Sequence, residues 1–458
     1  MCESNGERRV CASPDENELS RRTFLKGMVA GCVSTVTGMV VGGIAQGAVE
    51  GRPVTPIQHD ERGIILPDTS SLVVVDLSPE GVERHQGAEQ IREQVVRALG
   101  RIAITTDYAV YPNVQFVRDG STPDVVLATE NGEESVYSSK MIWRIGESYA
   151  KKTASSMTLV IVNGFDAENQ QVGGLAYAAG SPPTALVRGK MLTSGVTVHE
   201  IGHLLKLGHA WEMESWASRV KDRASALKDS LQHSTIQEII QAGYGLVKDA
   251  NGNPDPYASG YSAMGDASLV DKTGMHVPVF SSADLLRLDP TRSLYHVGDP
   301  AERTGKIPIR YERGQILGIT MDIPSDHALR DVIPDIDTIF IGPLVYSLEK
   351  YRHNPIERMG VFATWDGGSK SALLNPSAWD ERIQYDKRGF EHVIYSDEQL
   401  GTLVVAGHEN HEVYVRVVPL HTEEAQRLRQ VEAQKLAEKE ASEEASADED
   451  FPSFTVGS

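Results

Sequence analysis

Three histidines and one glutamate fall within the eleven residues HEIGHLLKLGH, His199 to His209. His199 and His203 are four apart, so on an α-helix they share one face, about 6 Å apart along the axis. Two imidazoles so placed can meet one metal ion at ordinary zinc–nitrogen distances. Glu200 is turned about 100° from His199, beside such an ion rather than on it, where a carboxylate can take a proton from a water the ion activates. Histidine pairs satisfied in an ordinary core have the same spacing, so the pair alone does not decide. His209 adds weight. On a continued helix it would lie about 9 Å beyond His203 and about 120° off its face. It reaches the same ion only if the helix stops near Leu205 and the chain folds back. Gly208 provides some of the freedom needed, whereas Lys206 stands where a tight turn favours glycine. Three neutral imidazoles would leave the fourth zinc position open for water, as catalysis requires.

Several elements must position this segment. Ser194 is a natural N-cap for its helix, a short side chain able to accept from the first unpaired amides. Upstream, SLVVVDL (71–77), NVQFV, DVVLAT and MTLVIVNGF read as strands, the first a buried-strand run. Helical apolar spacing runs from Ala88 to Ala103 and through SSKMIWRIGESYAKK. GGLAYAAG and TALVRG add two short strands just before the histidine helix. Strands alternating with helices indicate a mixed α/β layer. Downstream, Met213 to Lys248 is polar and helix-rich. DANGNPDP, with oxygens at 249, 251, 253 and 255, could cup calcium, but the glycine that sharpens such loops is missing, which favours a plain turn. From about Gly305 to Pro419 short β-like runs separated by turn residues suggest a β-sandwich.

HEIGHLLKLGH resembles the metzincin signature HExxHxxGxxH of zinc peptidases. The histidine spacings and the glutamate agree, and Lys206 replaces the family's glycine. The resemblance implies zinc held by His199, His203 and His209, with Glu200 as general base. If His209 fails, it shifts to peptidases whose third ligand is a downstream glutamate, with Glu212, Glu214 and Glu238 as candidates. GYSAMGDAS looks like the methionine turn beneath the metal, with Met264 as the methionine. The tyrosine many members carry two residues later is absent, Asp266 standing there, and Tyr257 and Tyr261 are its nearest substitutes. FSSADLLRLDP reads as the short helix closing such a domain. Met264-Gly265 and a following β-sandwich are similar to the gametolysin-like branch. By analogy, GGLAYAAG would be the edge strand that pairs with an extended peptide. Together these imply an α/β (α+β) metzincin-like catalytic domain with a mixed sheet, followed by a β-sandwich. The expected activity is a zinc endopeptidase acting on protein or peptide. The alternative is an inactive, zinc-stabilised binding or envelope protein, which Lys206 and the missing tyrosine motivate and the intact Glu200 opposes.

The composition is globular, 40% apolar and 24% charged, and a net charge of -20 disfavours nucleic acid as a partner. Ser20-Arg21-Arg22-Thr23-Phe24-Leu25-Lys26, before a mildly apolar run, resembles a twin-arginine export signal with cleavage near Ala48. An exported, extracellular or periplasmic product is implied, membrane-anchored only if the leader is uncleaved. The three cysteines, Cys2, Cys11 and Cys32, lie in that leader, so the expected mature chain has neither disulfides nor thiolate ligands. Glu423 to Asp450 holds ten acidic and four basic residues, a frayed helix running into disorder with too few apolar positions to pack. The expected organisation is a signal (1–48), a catalytic domain (49–298), a β-sandwich (299–420) and an acidic tail (421–458).

Overall fold

The computed structural model describes residues 71–431 and 434, except 107–109, 111, 130–131, 169–172, 215–234, 273–278, 290, 312–313, 346–355, 375–390 and 410–411. The expected signal lies outside these residues, as does most of the acidic tail. No helix among the described residues is long and apolar enough to cross a membrane. The fold is mixed α/β, with several sheets.

The first sheet has the order β2–β1–β5–β8–β7. Strands β1 (Ser71–Leu77), β2 (Asn113–Asp119), β5 (Met157–Val162) and β8 (Thr184–Arg188) run parallel, and β7 (Gly174–Tyr177) lies antiparallel at the edge. Parallel strands covered on both faces should be apolar throughout, and β1 and β5 are almost wholly buried. Their residues alternate between faces. Leu72 and Val74 pack with Leu99 of helix α1 (Ala88–Thr105) and with Val198 and Ile201 of helix α3 (Ser194–Leu204). Val73 and Val75 turn to the opposite face, against Ile142 of helix α2 (Ser139–Thr153). The DVVLAT segment does not join this sheet. It forms β3 (Val125–Thr129), which pairs with β4 (Gly132–Tyr137) and, through it, with β6 (Asp166–Ala167).

A second sheet runs β10–β12–β13–β14–β15–β9, and a third β11–β18–β17–β16. The second contains β9 (Ala210–Glu212), β10 (Ser293–Val297), β12 (Ile316–Asp322), β13 (Ile336–Val345), β14 (Ile356–Trp365) and β15 (Lys370–Leu373). The third contains β11 (Ile307–Pro308), β16 (Glu391–Asp397), β17 (Thr402–Glu409) and β18 (Glu412–Pro419). Ile339, Ile341, Val361 and Ala363 share a core with Val404, Val415 and Val417, so these two sheets pack face to face. The intervening Phe340 and Phe362 point the other way, into the core beneath α3. The second sheet is therefore the middle layer. Residues 423–431 are helical and bury Ala425 and Leu428 against Leu403, Val405 and Val418. The expectation that the tail has too few apolar positions to pack fails for these first turns.

β9 follows His209 directly and pairs in parallel with β15. The third histidine thus stands immediately before a strand of the second sheet, while the first two sit on helix α3, which packs against the first.

Candidate metal centre

Helix α3 is capped by Thr193, whose side chain accepts from the Val196 amide at 3.2 Å. Ser194 is not the cap. It lies in the first turn and donates to Asp271 Oδ1 at 2.7 Å. The helix ends at Leu204. Lys206 N donates to His203 O and Leu207 N to Gly202 O, both at 3.0 Å. Lys206 has φ +70°. These two bonds around a left-handed residue form a Schellman ending. A left-handed conformation costs a non-glycine residue about 1–2 kcal/mol, and lysine bears that strain here.

After the turn the chain is gripped from two sides. Gly208 N donates to Ser369 O at 2.7 Å and Ala210 N to Met264 O at 3.3 Å. This returns His209 to the face of His199 and His203. The coordinating atoms of all three lie within 4.8 Å of one another, and together they could hold a metal ion. Nε2 of His199 and of His203 are 3.1 Å apart. Two nitrogens about 2 Å from a shared tetrahedral ion would lie about 3.3 Å apart. Each of these two rings has its other nitrogen engaged. Nδ1 of His199 is 2.8 Å from the Ala263 carbonyl, and Nδ1 of His203 is 2.8 Å from the Leu207 carbonyl. Each Nδ1 therefore donates, which leaves Nε2 a lone pair directed at the cluster, the arrangement that metal-binding histidines use.

The electrostatics agree. Burial, with the neighbouring His203, lowers His199 to about 4. Burial, then His203, His199 and Lys370, lowers His209 to about 3. His203 is also lowered, chiefly by burial. All three are neutral near pH 7, the state in which imidazole binds a metal. Glu200 is buried, burial raises its carboxyl to about 8, and its Oε2 has no hydrogen-bond partner among the described residues. An unsatisfied buried carboxyl oxygen is costly unless a ligand, water or ion completes it. The residues present thus fit a bound cation with a water beside it.

Two supports lie close beneath. Met264 is fully buried under α3, where a Cβ at Gly202 would collide with its sulfur. Its turn supplies the Ala263 carbonyl that orients His199. On the other side β7 passes so near Glu200 that a Cβ at Gly174 would lie 2.6 Å from the carboxyl carbon.

The downstream glutamates are not in the cluster. Glu238 accepts from Thr235 N at 2.7 Å to cap helix α4 (Ile236–Gln241), and Glu214 accepts from Gly245 N at 3.3 Å. Glu212 is raised to about 7, by burial against the opposing effect of the Gly260 amide. Of the two tyrosines left open by the sequence, Tyr261 donates to the Trp211 carbonyl at 2.6 Å and is buried. Tyr257 is half-exposed, its ring centroid 4.8 Å from His209 and 5.9 Å from His199. Asp266 takes the Ser268 amide at 2.8 Å and starts helix α5 (Ser268–Lys272). Asp249 Oδ1 accepts from the amides of Asn251 and Asn253, both at 2.9 Å, so the calcium candidate closes as a turn. Among the described residues the histidine cluster is the only group suited to a metal. The acceptors at Ala263 and Leu207 were not legible in the sequence, because a backbone carbonyl carries no residue signature.

No model of a known protein family matches the chain, and no curated protein matches it. The functional reading therefore rests on the site's own geometry.

Proposed function

We propose that the protein is a zinc-dependent endopeptidase of metzincin type, exported through its twin-arginine leader. The observation that carries this reading is the buried Glu200 carboxylate, with one oxygen unpartnered, beside three neutral imidazoles whose coordinating atoms converge. A purely structural zinc site has no use for a carboxylate there and fills its fourth position with protein. When bound, zinc lowers the pKa of its water to about 7 and polarises a carbonyl oxygen. His199, His203 and His209 would hold it, with the Ala263 and Leu207 carbonyls fixing two of the rings. Glu200 accepts the proton of the attacking water and then delivers it to the departing amine. In the metal-free protein burial raises its carboxyl to about 8; the charge of a bound cation would favour the carboxylate form that accepts the proton, and the buried surroundings would favour its return. The third sheet, packed on the second as a β-sandwich, would position substrate or attach the enzyme to a surface.

The edge strand β7 supports a peptide substrate. Among the described residues it has one neighbour, β8, so its outer side offers main-chain groups next to Glu200, and strand addition gives affinity with little sequence selectivity. Zinc-loaded full-length protein, incubated with a denatured protein mixture beside its Glu200→Ala form, is expected to generate new N-termini by mass spectrometry. The substitution should lower their rate by about 10²–10⁴-fold, and a chelator should abolish it. No cleavage by a folded, zinc-loaded parent would overturn the peptidase and favour a zinc-stabilised binding protein.

A further inference from the structure

Lys206 occupies the turn position that glycine would fill without strain, and its side chain is used. The ammonium donates to the carbonyl of Ala178, the first residue past β7. At the other end of β7, Gly174 lies against the Glu200 carboxyl. One edge strand is thus held at both ends by α3 and the turn that closes it. The inner side of β7 belongs to β8: Arg188 N donates to Gly173 O at 3.0 Å, and Leu175 pairs with Leu186. Alternation in an antiparallel pair then turns the N–H and C=O groups of Gly174 and Ala176 outward. Both residues are small, which leaves that edge open to another backbone. The Ala178 carbonyl just beyond is taken by Lys206. Leu175 and Tyr177, 36% and 52% exposed, stand beside the open stretch.

We infer that Lys206 is a positioning residue that sets where the substrate-pairing edge ends and couples that edge to the turn delivering His209. An extended peptide would pair over Gly174 to Ala176 and stop short of Ala178. The tie is independent of the proposed function, but its role toward a peptide rests on the peptidase reading. The strain at Lys206 has a counterpart here: glycine would relax the turn and lose the tie, while lysine keeps the tie and accepts the turn. A glycine at this position can end the helix but cannot reach the edge strand.

The test uses full-length, zinc-loaded protein with Lys206→Met, which keeps most of the stem and removes the donor. Lys206→Gly removes both strain and stem, and Lys206→Arg restores a donor. Hydrogen exchange of the amides from 173 to 178 is expected to accelerate about tenfold in the Met and Gly variants and to return toward the parent in the Arg variant. With a quenched peptide bearing the parent's most frequent cleavage site, KM should rise about tenfold in the Met variant while kcat changes less than about twofold. Zinc stoichiometry should stay unchanged, which separates an edge effect from loss of the metal. Exchange and KM in Lys206→Met within about twofold of an active parent would overturn the inference and leave the peptidase standing. Accelerated exchange in a protein whose parent form cleaves nothing would overturn the peptidase reading and with it the substrate role, leaving only a structural tie.

Discussion

Around His327 the protein satisfies its buried polar groups from its own side chains, whereas around His199 it leaves them facing one another. His327 Nε2 lies 2.9 Å from Asp397 Oδ2, and its Nδ1 accepts from Leu329 N at 3.2 Å. Asp397 also takes the Tyr395 hydroxyl at 2.6 Å, Gln237 Nε2 at 2.7 Å, and the amides of Gln399 and Leu400. Burial alone would push Asp397 up, but the hydrogen bond from His327, with those from Tyr395 and Leu400, holds it below the usual carboxylate range. That cluster ties α4 to the end of β16 and is complete. At the histidine triplet the Glu200 carboxyl has an oxygen with no partner among the described residues, and two ring nitrogens meet at 3.1 Å. Both clusters are buried histidines close to an acid. The difference is whether the protein itself fills every donor and acceptor, and the unfilled cluster is the one that calls for a ligand.

Substitutions should separate the two regions. Removing one member of the satisfied pair strands the other, so Asp397→Ala is expected to lower stability by about 3–5 kcal/mol in urea denaturation while zinc content is unaffected. His209→Asn should do the reverse. It should weaken zinc binding at least about 100-fold, measured by competition with a chromogenic chelator, and leave the metal-free stability close to the parent's. If both variants lost stability alike and both kept zinc, the contrast would collapse.

The pH dependence of the zinc-free protein sharpens the contrast. Glu200 titrates at about 8 when folded against an ordinary 4.5, so the native state holds a proton that the unfolded chain has released. Stability from this group is therefore full below about 4.5 and lost as pH rises through about 8. The histidines have the opposite sign. Lowered from 6.5 to about 4 and about 3 at His199 and His209, they contribute stability above 6.5 that is lost as pH falls. In thermal melts with chelator present, Glu200→Gln should match the parent near pH 4.5 and exceed it increasingly toward pH 8. A constant difference across that window would show that Glu200 is not the buried, protonated group. The smallest effects are expected at the tyrosines. Tyr257→Phe should slow turnover by less than about tenfold with zinc retained. Tyr261→Phe should cost about 1 kcal/mol of stability and leave turnover unchanged.

Much of the architecture was legible because it depends on local pattern. The continuous apolar runs of β1 and β5 marked buried strands, and helical spacing marked α1 and α2. Within the β-like region, β12 (ILGITMD) and β16 (EHVIYSD) carry a weaker strand pattern than β17 or β18, though both lie in the sheets. Their short mixed runs resemble loops until neighbouring strands bury them. The displaced N-cap has a similar cause. Ser194 has the right chemistry for a cap, but Asp271, remote in the chain, takes its hydroxyl, and the preceding threonine caps instead.

The division at the site follows the range of the forces involved. That His199 and His203 share a helical face with Glu200 beside them follows from residue spacing alone, because a four-residue interval on a 3.6-residue repeat is local geometry. The same spacing requires the helix to end before His209 if a third imidazole is to join. That His209 does return depends on long-range contacts, with Ser369 and Met264 holding the chain on either side of it. The burial that keeps the imidazoles neutral and raises Glu200, and the engagement of Lys206 with Ala178, have the same origin. Those outcomes come from contacts between segments far apart in the chain, which residue spacing does not encode.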